Sequence, residues 1–384
     1  MKKFVVLVLL LSLCLSALAA EPLHFVFGDM DQHAEIAGGF LPTYLLSGFG
    51  YDLPELLDGN RSEFQILFGI GYLQRKLWLD ANTGAVITED PIIYDTFRTD
   101  WMLRLKQGLG NSTMGSKDLF TFTLAYEMRI ESSMNSMVKG RNRMNPTKYE
   151  VRSLDSYIGD DYSGAIYPDL QGNRQFVGHF ISFQTKLDQM DDRKTASDGF
   201  LATFDFRLAP EAFNESADFF MLRLNAVAAK TLIESLGANG RNSFSITLID
   251  RANVTLLSGD QIPVAVQGPA SLGRLVRGFN PYSYGTELSA VNNFDIRFAG
   301  PDLGESGIFP RINLFYDVGF GSGHYYNSTY TDINYLSSCG VQVTVSFFDF
   351  IDLGYQIAYL IKGDKYSEGP DRNVVGSFTF FLDF

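Results

Sequence analysis

The chain has 384 residues, with 31 Lys and Arg against 44 Asp and Glu and a formal net charge of −13. That balance argues against a nucleic-acid partner, which needs a basic footprint. Two cysteines and four histidines without ligand spacing leave no metal site to expect, and no cofactor either.

At the amino terminus, Lys2 and Lys3 precede an apolar run from Phe4 to Leu15. Ser16-Ala17-Leu18-Ala19-Ala20 then ends in small residues before Glu21. This is the layout of a cleavable signal peptide over 1–20, with 21–384 as the mature part. Lipidation at Cys14 is the rival reading; the bulky Leu13 before it and the Ala-Leu-Ala-Ala site after it weigh against that. Only Cys339 then remains, so no intrachain disulfide is expected. After residue 20 no stretch stays apolar for about 18 residues, so no helix is expected to span a bilayer. For a secreted chain with 33 Phe and 19 Tyr, the remaining way across lipid is a closed barrel.

Period-two alternation predicts strands over 64–73 and 97–107. In the second, Trp101, Leu103 and Leu105 oppose Arg98, Asp100, Arg104 and Lys106. Gly110 to Lys117 reads as a turn, because Ser116-Lys117 reverses the order a phosphate loop needs. A strand over 119–131 sets Phe120, Phe122, Leu124, Tyr126, Met128 and Ile130 against Thr121, Thr123, Glu127, Arg129 and Glu131. The polar stretch 132–175 reads as extracellular loop with short strand extensions. Strands follow over 180–187, 199–208, 219–231 and 243–249. The third of these also fits an amphipathic helix, but Arg223 and Asn225 alternate with Leu222, Leu224 and Ala226, which favours a strand.

Five more runs close the chain, over 288–298, 311–320, 339–347, 351–361 and 374–384. The last carries Phe378, Phe380, Leu382 and Phe384 on one face and ends on the terminal phenylalanine. Alternation alone does not separate a membrane barrel from a soluble sandwich. Run lengths of about 10 to 13 residues match tilted membrane strands rather than the usual five or six. At about 22 residues per strand and connection, the expected fold is all-β: one transmembrane antiparallel barrel of about 16 strands, with no second domain.

Two motifs precede or interrupt the closing runs. Gly273-Arg274-Leu275-Val276-Arg277-Gly278-Phe279 comes first, and Phe315-Tyr316-Asp317-Val318-Gly319 follows two strands later. Upstream lie Asp191-Asp192-Arg193 ahead of Gly199, and Ile262-Pro263 ahead of Gly268. In order and spacing, with the terminal strand, these resemble the superfamily of BamA, TamA and the two-partner secretion transporters, also described as a bacterial surface antigen family. The resemblance covers 177–384, and the first part by character only. It implies that the loop holding Arg277 folds back into the barrel lumen. There the guanidinium would meet Asp317 and Asp295, the latter within Asp295-Ile296-Arg297-Phe298. Alternation independently turns both carboxylates inward, and arginine suits the task because its planar fork can engage two carboxylates at once. Gly278 would supply a positive φ or a close approach at the loop tip, Phe279 would pack on the inner wall, and Gly319 completes the second motif. The bland alternative makes Arg277 one more solvated lumenal charge. The terminal strand, with Phe378, Phe380, Leu382 and Phe384, resembles the signal by which outer-membrane barrels are recognised for assembly.

Members of this superfamily insert or translocate proteins and commonly carry periplasmic POTRA modules. Barrel-like sequence follows the signal peptide almost directly here, so the expectation is a POTRA-less relative in the outer membrane. It would be a monomeric barrel in lipid, handling protein or lipid with a separate periplasmic partner. The alternative is a passive pore or structural surface antigen that keeps barrel and plug loop. An enzyme is not expected, since Gly321-Ser322-Gly323-His324 lacks the nucleophile elbow of a hydrolase.

Overall fold

The structure is a computed structural model. It describes residues 23–27, 44–53, 61–77, 92–114, 118–135, 154, 174–191, 198–215, 217–236, 242–263, 266, 271–279, 286–301, 303, 307–322, 334–347, 351–362 and 373–382. Within these lie fourteen strands in one antiparallel sheet, each hydrogen-bonded to its neighbours in chain order. They are β1 (Leu23–Phe27), β2 (Tyr44–Leu53), β3 (Ser62–Leu77), β4 (Ile92–Asn111), β5 (Asp118–Asn135), β6 (Gln175–Met190) and β7 (Gly199–Ala209). The second half holds β8 (Asp218–Leu236), β9 (Asn242–Gln261), β10 (Leu288–Ala299), β11 (Ile308–Ser322), β12 (Asn334–Phe347), β13 (Ile351–Lys362) and β14 (Val374–Leu382). The expectation of about 16 strands refers to the whole mature chain and is not a count of the described residues. Among those residues no ladder joins β1 to β14. None of the described helices is long and apolar enough to cross a membrane.

One face of this sheet is apolar and exposed, the other polar and buried, the reverse of a soluble sandwich. On β5, Phe120, Leu124 and Tyr126 are exposed while Glu127, Arg129 and Glu131 are buried. On β4, Trp101, Leu103 and Leu105 point out, and Arg98 and Asp100 point in. On β11, Ile312, Leu314 and Tyr316 are exposed, and Asp317 is fully buried. Aqueous solvent would penalise the outer face and reward the inner one, so the outer surface suits hydrocarbon. The alternation sets which side chain faces which way; the sign of the solvent decides which face is inside.

The segment 219–231 is strand, within β8. The short strand extensions expected within 132–175 are present: β5 continues to Asn135 and β6 begins at Gln175. β9 runs for 20 residues, well past the expected end at 249. Its second half continues through Asp250-Arg251-Ala252-Asn253, polar residues paired with β10 from Asp250↔Phe294 to Asn253↔Val291. The run Gly110 to Lys117 falls at the β4–β5 turn, with Gly110 at φ 65°.

An up-and-down order sends connections alternately to the two ends of the sheet. The segments 28–43, 78–91, 136–174, 210–217, 262–287, 323–333 and 363–373 fall at one end. The segments 54–61, 112–117, 191–198, 237–241, 300–307 and 348–350, none longer than 210–217, fall at the other. The connection 262–287 carries the first of the two motifs.

Candidate functional site

The β9–β10 connection turns back over the polar face of the sheet. Its entry is held by apolar packing: Ile262 and Val266 join Phe176, Phe180, Phe219 and Leu257 in a buried cluster. Further on, a single helical turn, α1 (Leu272–Leu275), buries Leu272 against the wall. Leu272 and Val276 pack with Val291 of β10 and Leu336 of β12, and Phe279 lies against the same group. Asn293 of β10 donates from Nδ2 to the Leu275 carbonyl at 3.0 Å, which satisfies one of the carbonyls the short turn leaves open.

At the tip, Arg277 meets both acidic residues. Its backbone N–H donates to Asp317 Oδ2 at 2.9 Å and its Nε to the same oxygen at 2.8 Å. Its Nη2 donates to Asp317 Oδ1 at 2.6 Å, and its Nη1 to Asp295 Oδ1 at 2.7 Å. Both carboxylates are at most 1% exposed. The Arg277 guanidinium carbon also stands 4.0 Å from the centre of the Phe315 ring, a cation–π contact. Burial alone disfavours the Arg277 charge, but the hydrogen bonds and charge of Asp317, joined by Asp295, outweigh it and raise its pKa above the ordinary value.

Asp295 has a second partner, since Arg251 of β9 donates from Nη1 to its Oδ2. The group therefore balances two guanidiniums against two carboxylates, which is what makes buried charges tolerable. Arg251 and Phe315 are the members that sequence reasoning missed. Phe315 was visible as the first residue of Phe-x-Asp-x-Gly, at the spacing that puts it on the face of Asp317. Arg251 carried no signal until β9 was known to continue through it.

Both glycines have steric reasons. Gly278 has φ 92°, which L side chains rarely adopt, and a Cβ there would stand 2.6 Å from the Ala358 Cβ of β13. A Cβ on Gly319 would fall 2.6 Å from Val276 Cγ2 and 2.9 Å from Leu272 Cδ1. The loop is seated where that wall has no side chain.

A second buried charge cluster occupies the inner face of β4, β5 and β7. Arg129 donates to Glu127 Oε1 at 2.7 Å from Nη2 and to Asp100 Oδ1 at 3.0 Å from Nε. Arg98 Nε donates to Asp100 Oδ2 at 2.5 Å, and Arg207 Nη2 reaches Glu127 Oε2 at 2.7 Å. Glu131 stands 3.8 Å from Arg129 and 4.0 Å from Arg98. Tyr44 of β2 donates to Asp100 across β3. The Phe180 ring lies under Arg207 at 4.1 Å and Arg129 at 5.4 Å. Because Phe180 also belongs to the cluster around Ile262, this network adjoins the loop's entry.

Of the terminal-strand residues, Phe378 is 83% exposed and its ring meets Tyr355 edge-on at 4.8 Å. Phe380 and Leu382 pair through their backbones with Leu353 and Ile351 of β13, their side chains lying outside the described residues, as does Phe384. Asp192, Arg193 and Gly268 of the upstream motif pieces, and residues 1–22, also lie outside them.

No family model matches the sequence, and no curated protein is similar to it. Among solved structures, BamA from Haemophilus ducreyi lacking POTRA domains 1-3 is similar in fold, with TM-score 0.48 and 12% identity over 88% of this chain and 62% of that one. CdiB from Acinetobacter baumannii gives TM-score 0.41 and 12% identity over 94% and 59% of the two chains. CdiB from Escherichia coli gives 0.44 and 10% over 88% and 53%. The chain thus spans between 53% and 62% of the length of these structures.

Proposed function

We propose that the protein is an integral outer-membrane β-barrel of the BamA and two-partner secretion type, which assists insertion or translocation of protein at that membrane. The observation that carries this reading is the Arg277 clasp. A loop drawn into the interior of the sheet is fastened at its tip by one side chain to two acidic groups on adjacent strands. The clasp adds a charged fastening at the tip to the apolar contacts of Leu272, Val276 and Phe279, so one side chain governs how firmly the tip is held. The exposed apolar face supports the membrane setting, and the longer connections belong outside the cell, as in outer-membrane barrels generally. Substrate would come from a partner on the periplasmic side.

The test is crosslinking in the native outer membrane, followed by identification of what the barrel holds. A trapped polypeptide, together with lower surface levels of that polypeptide on depletion, supports the assignment. A large, steady, ohmic conductance with no trapped polypeptide would instead establish a passive pore.

A further inference from the structure

We infer that the inner wall on the short-connection side of the clasp is a binding site for a phosphate-type oxyanion, centred on Arg297 and Arg311. Arg297 follows Asp295 by two residues on β10, so it shares the inner face and sits one step nearer the 300–307 connection. Its strand partner across the ladder is Asn313, and Arg311 lies opposite Ala299. The two arginines are therefore diagonal neighbours on one face, with roughly 7–8 Å between their positions, close enough for both to reach one tetrahedral anion.

What distinguishes this pair is charge and unmet hydrogen bonding. Elsewhere on the inner wall five arginines are matched by carboxylates, while Arg104 donates to Gln65 and Met102, and Arg223 to Met221. Arg251 and Arg277 face Asp295 and Asp317, while Arg98, Arg129 and Arg207 face Asp100, Glu127 and Glu131. Arg297 has no carboxylate within ion-pair distance among the described residues. Arg311 has one, Asp352, at 3.5 Å, and that carboxylate is about a third exposed. The Nε of each is buried and has no acceptor. Arg207 Nε shares that state, but its Nη2 is engaged by Glu127 at 2.7 Å.

The rest of the wall is suited to an anion. Thr247 opposite Arg297, and Thr344 opposite Arg311, are buried hydroxyl side chains. Ser346 Oγ and Asn313 Oδ1 are further buried polar atoms with no partner, and a rotated Asn313 amide would offer its N–H groups instead. Two guanidiniums, with Asp352 beside Arg311 alone and about a third exposed, leave a net positive charge on this part of the wall. An oxyanion supplies the missing counter-charge and accepts from both Nε–H groups. Two forked donors match a phosphate-type group better than a spherical halide.

Inorganic phosphate titrated into the full-length barrel in detergent, at constant ionic strength made up with chloride, tests this. The expected result is a saturable rise in unfolding temperature that chloride does not give. R297Q and R311Q should each weaken the apparent affinity by ~tenfold or more. R223Q, at an arginine on β8, should leave it unchanged. Should a glutamine variant not fold, R297K retains the charge without the fork and should bind phosphate measurably more weakly, read by broadening of the phosphorus resonance of added phosphate. Short-chain phosphatidic acid in a parallel titration separates a lipid-borne phosphate from a free one: competition with inorganic phosphate assigns the site to both, and none assigns it to the free ion. A phosphate response equal to that of chloride, or equal in wild type and R297Q, would overturn the proposal.

Discussion

Replacing Arg277 with alanine leaves the nearly inaccessible Asp317 without a cation while Asp295 keeps Arg251, and the cost lies in that one uncompensated charge rather than in the hydrogen bonds themselves. Breaking such a pair costs on the order of 3–5 kcal/mol, less where water enters the vacated space. R277A should therefore lower the temperature at which the folded band disappears on unheated gels, and expose the segment 262–287 to protease. R277K should fall between, because an ammonium cannot span Asp317 and Asp295 with a planar fork. The two acids are unequal. Asp317 accepts from the Arg277 backbone N–H, Nε and Nη2, whereas Asp295 accepts from Nη1 and keeps Arg251 as well. D317N is thus expected to loosen the loop more than D295N, measured as the rate of protease cleavage within 262–287. F315A should cost the cation–π contact of about 0.5–2 kcal/mol and, since the ring is buried, the packing around it as well. At this scale the two motifs already marked Arg277, Gly278, Asp317 and Gly319. The residues that join the site from a neighbouring strand, such as Arg251, were hidden, because a sequence does not carry the pairing register.

Strands followed their alternation wherever one face was apolar and the other polar, as on β4, β5 and β11. They escaped notice where both faces break the pattern. β2 reads Tyr-Leu-Leu-Ser-Gly-Phe-Gly-Tyr-Asp-Leu, with Tyr44 and Leu46 buried inward and Leu45, Phe49 and Tyr51 exposed outward. Apolar residues on both sides erase a period-two signal. The second half of β9 failed for the opposite reason: Asp250, Arg251 and Asn253 resemble a loop until they are seen to face other polar groups. Asn253 donates to Asn225, and Arg251 to Asp295. An element-scale prediction follows from the inverted faces. Leu103→Arg, on the outward face of β4, should cost about 2–4 kcal/mol near the bilayer midplane, scored as denaturant midpoint in lipid. E127Q weakens the common partner of Arg98, Arg129 and Arg207. It should destabilise β4, β5 and β7 together, seen as faster hydrogen exchange confined to those strands.

Across the described residues, two inner clusters pair their charges, Arg251 and Arg277 with Asp295 and Asp317, and Arg98, Arg129 and Arg207 with Asp100, Glu127 and Glu131. In planar bilayers the intact protein should show small, infrequent currents, and R277A should raise the open probability several-fold while the second cluster still narrows the interior. An unchanged record for R277A would mean that the loop does not limit passage. The sharing of Asp295 bears on what happens when the loop does leave. One socket carboxylate keeps Arg251 and stays compensated, so departure of Arg277 uncovers only Asp317. The vacated socket then holds a single unit of attraction aimed at the one side chain that fits it. On the proposed release of the loop, the fastening would reset as a latch, with no outside energy needed to close it.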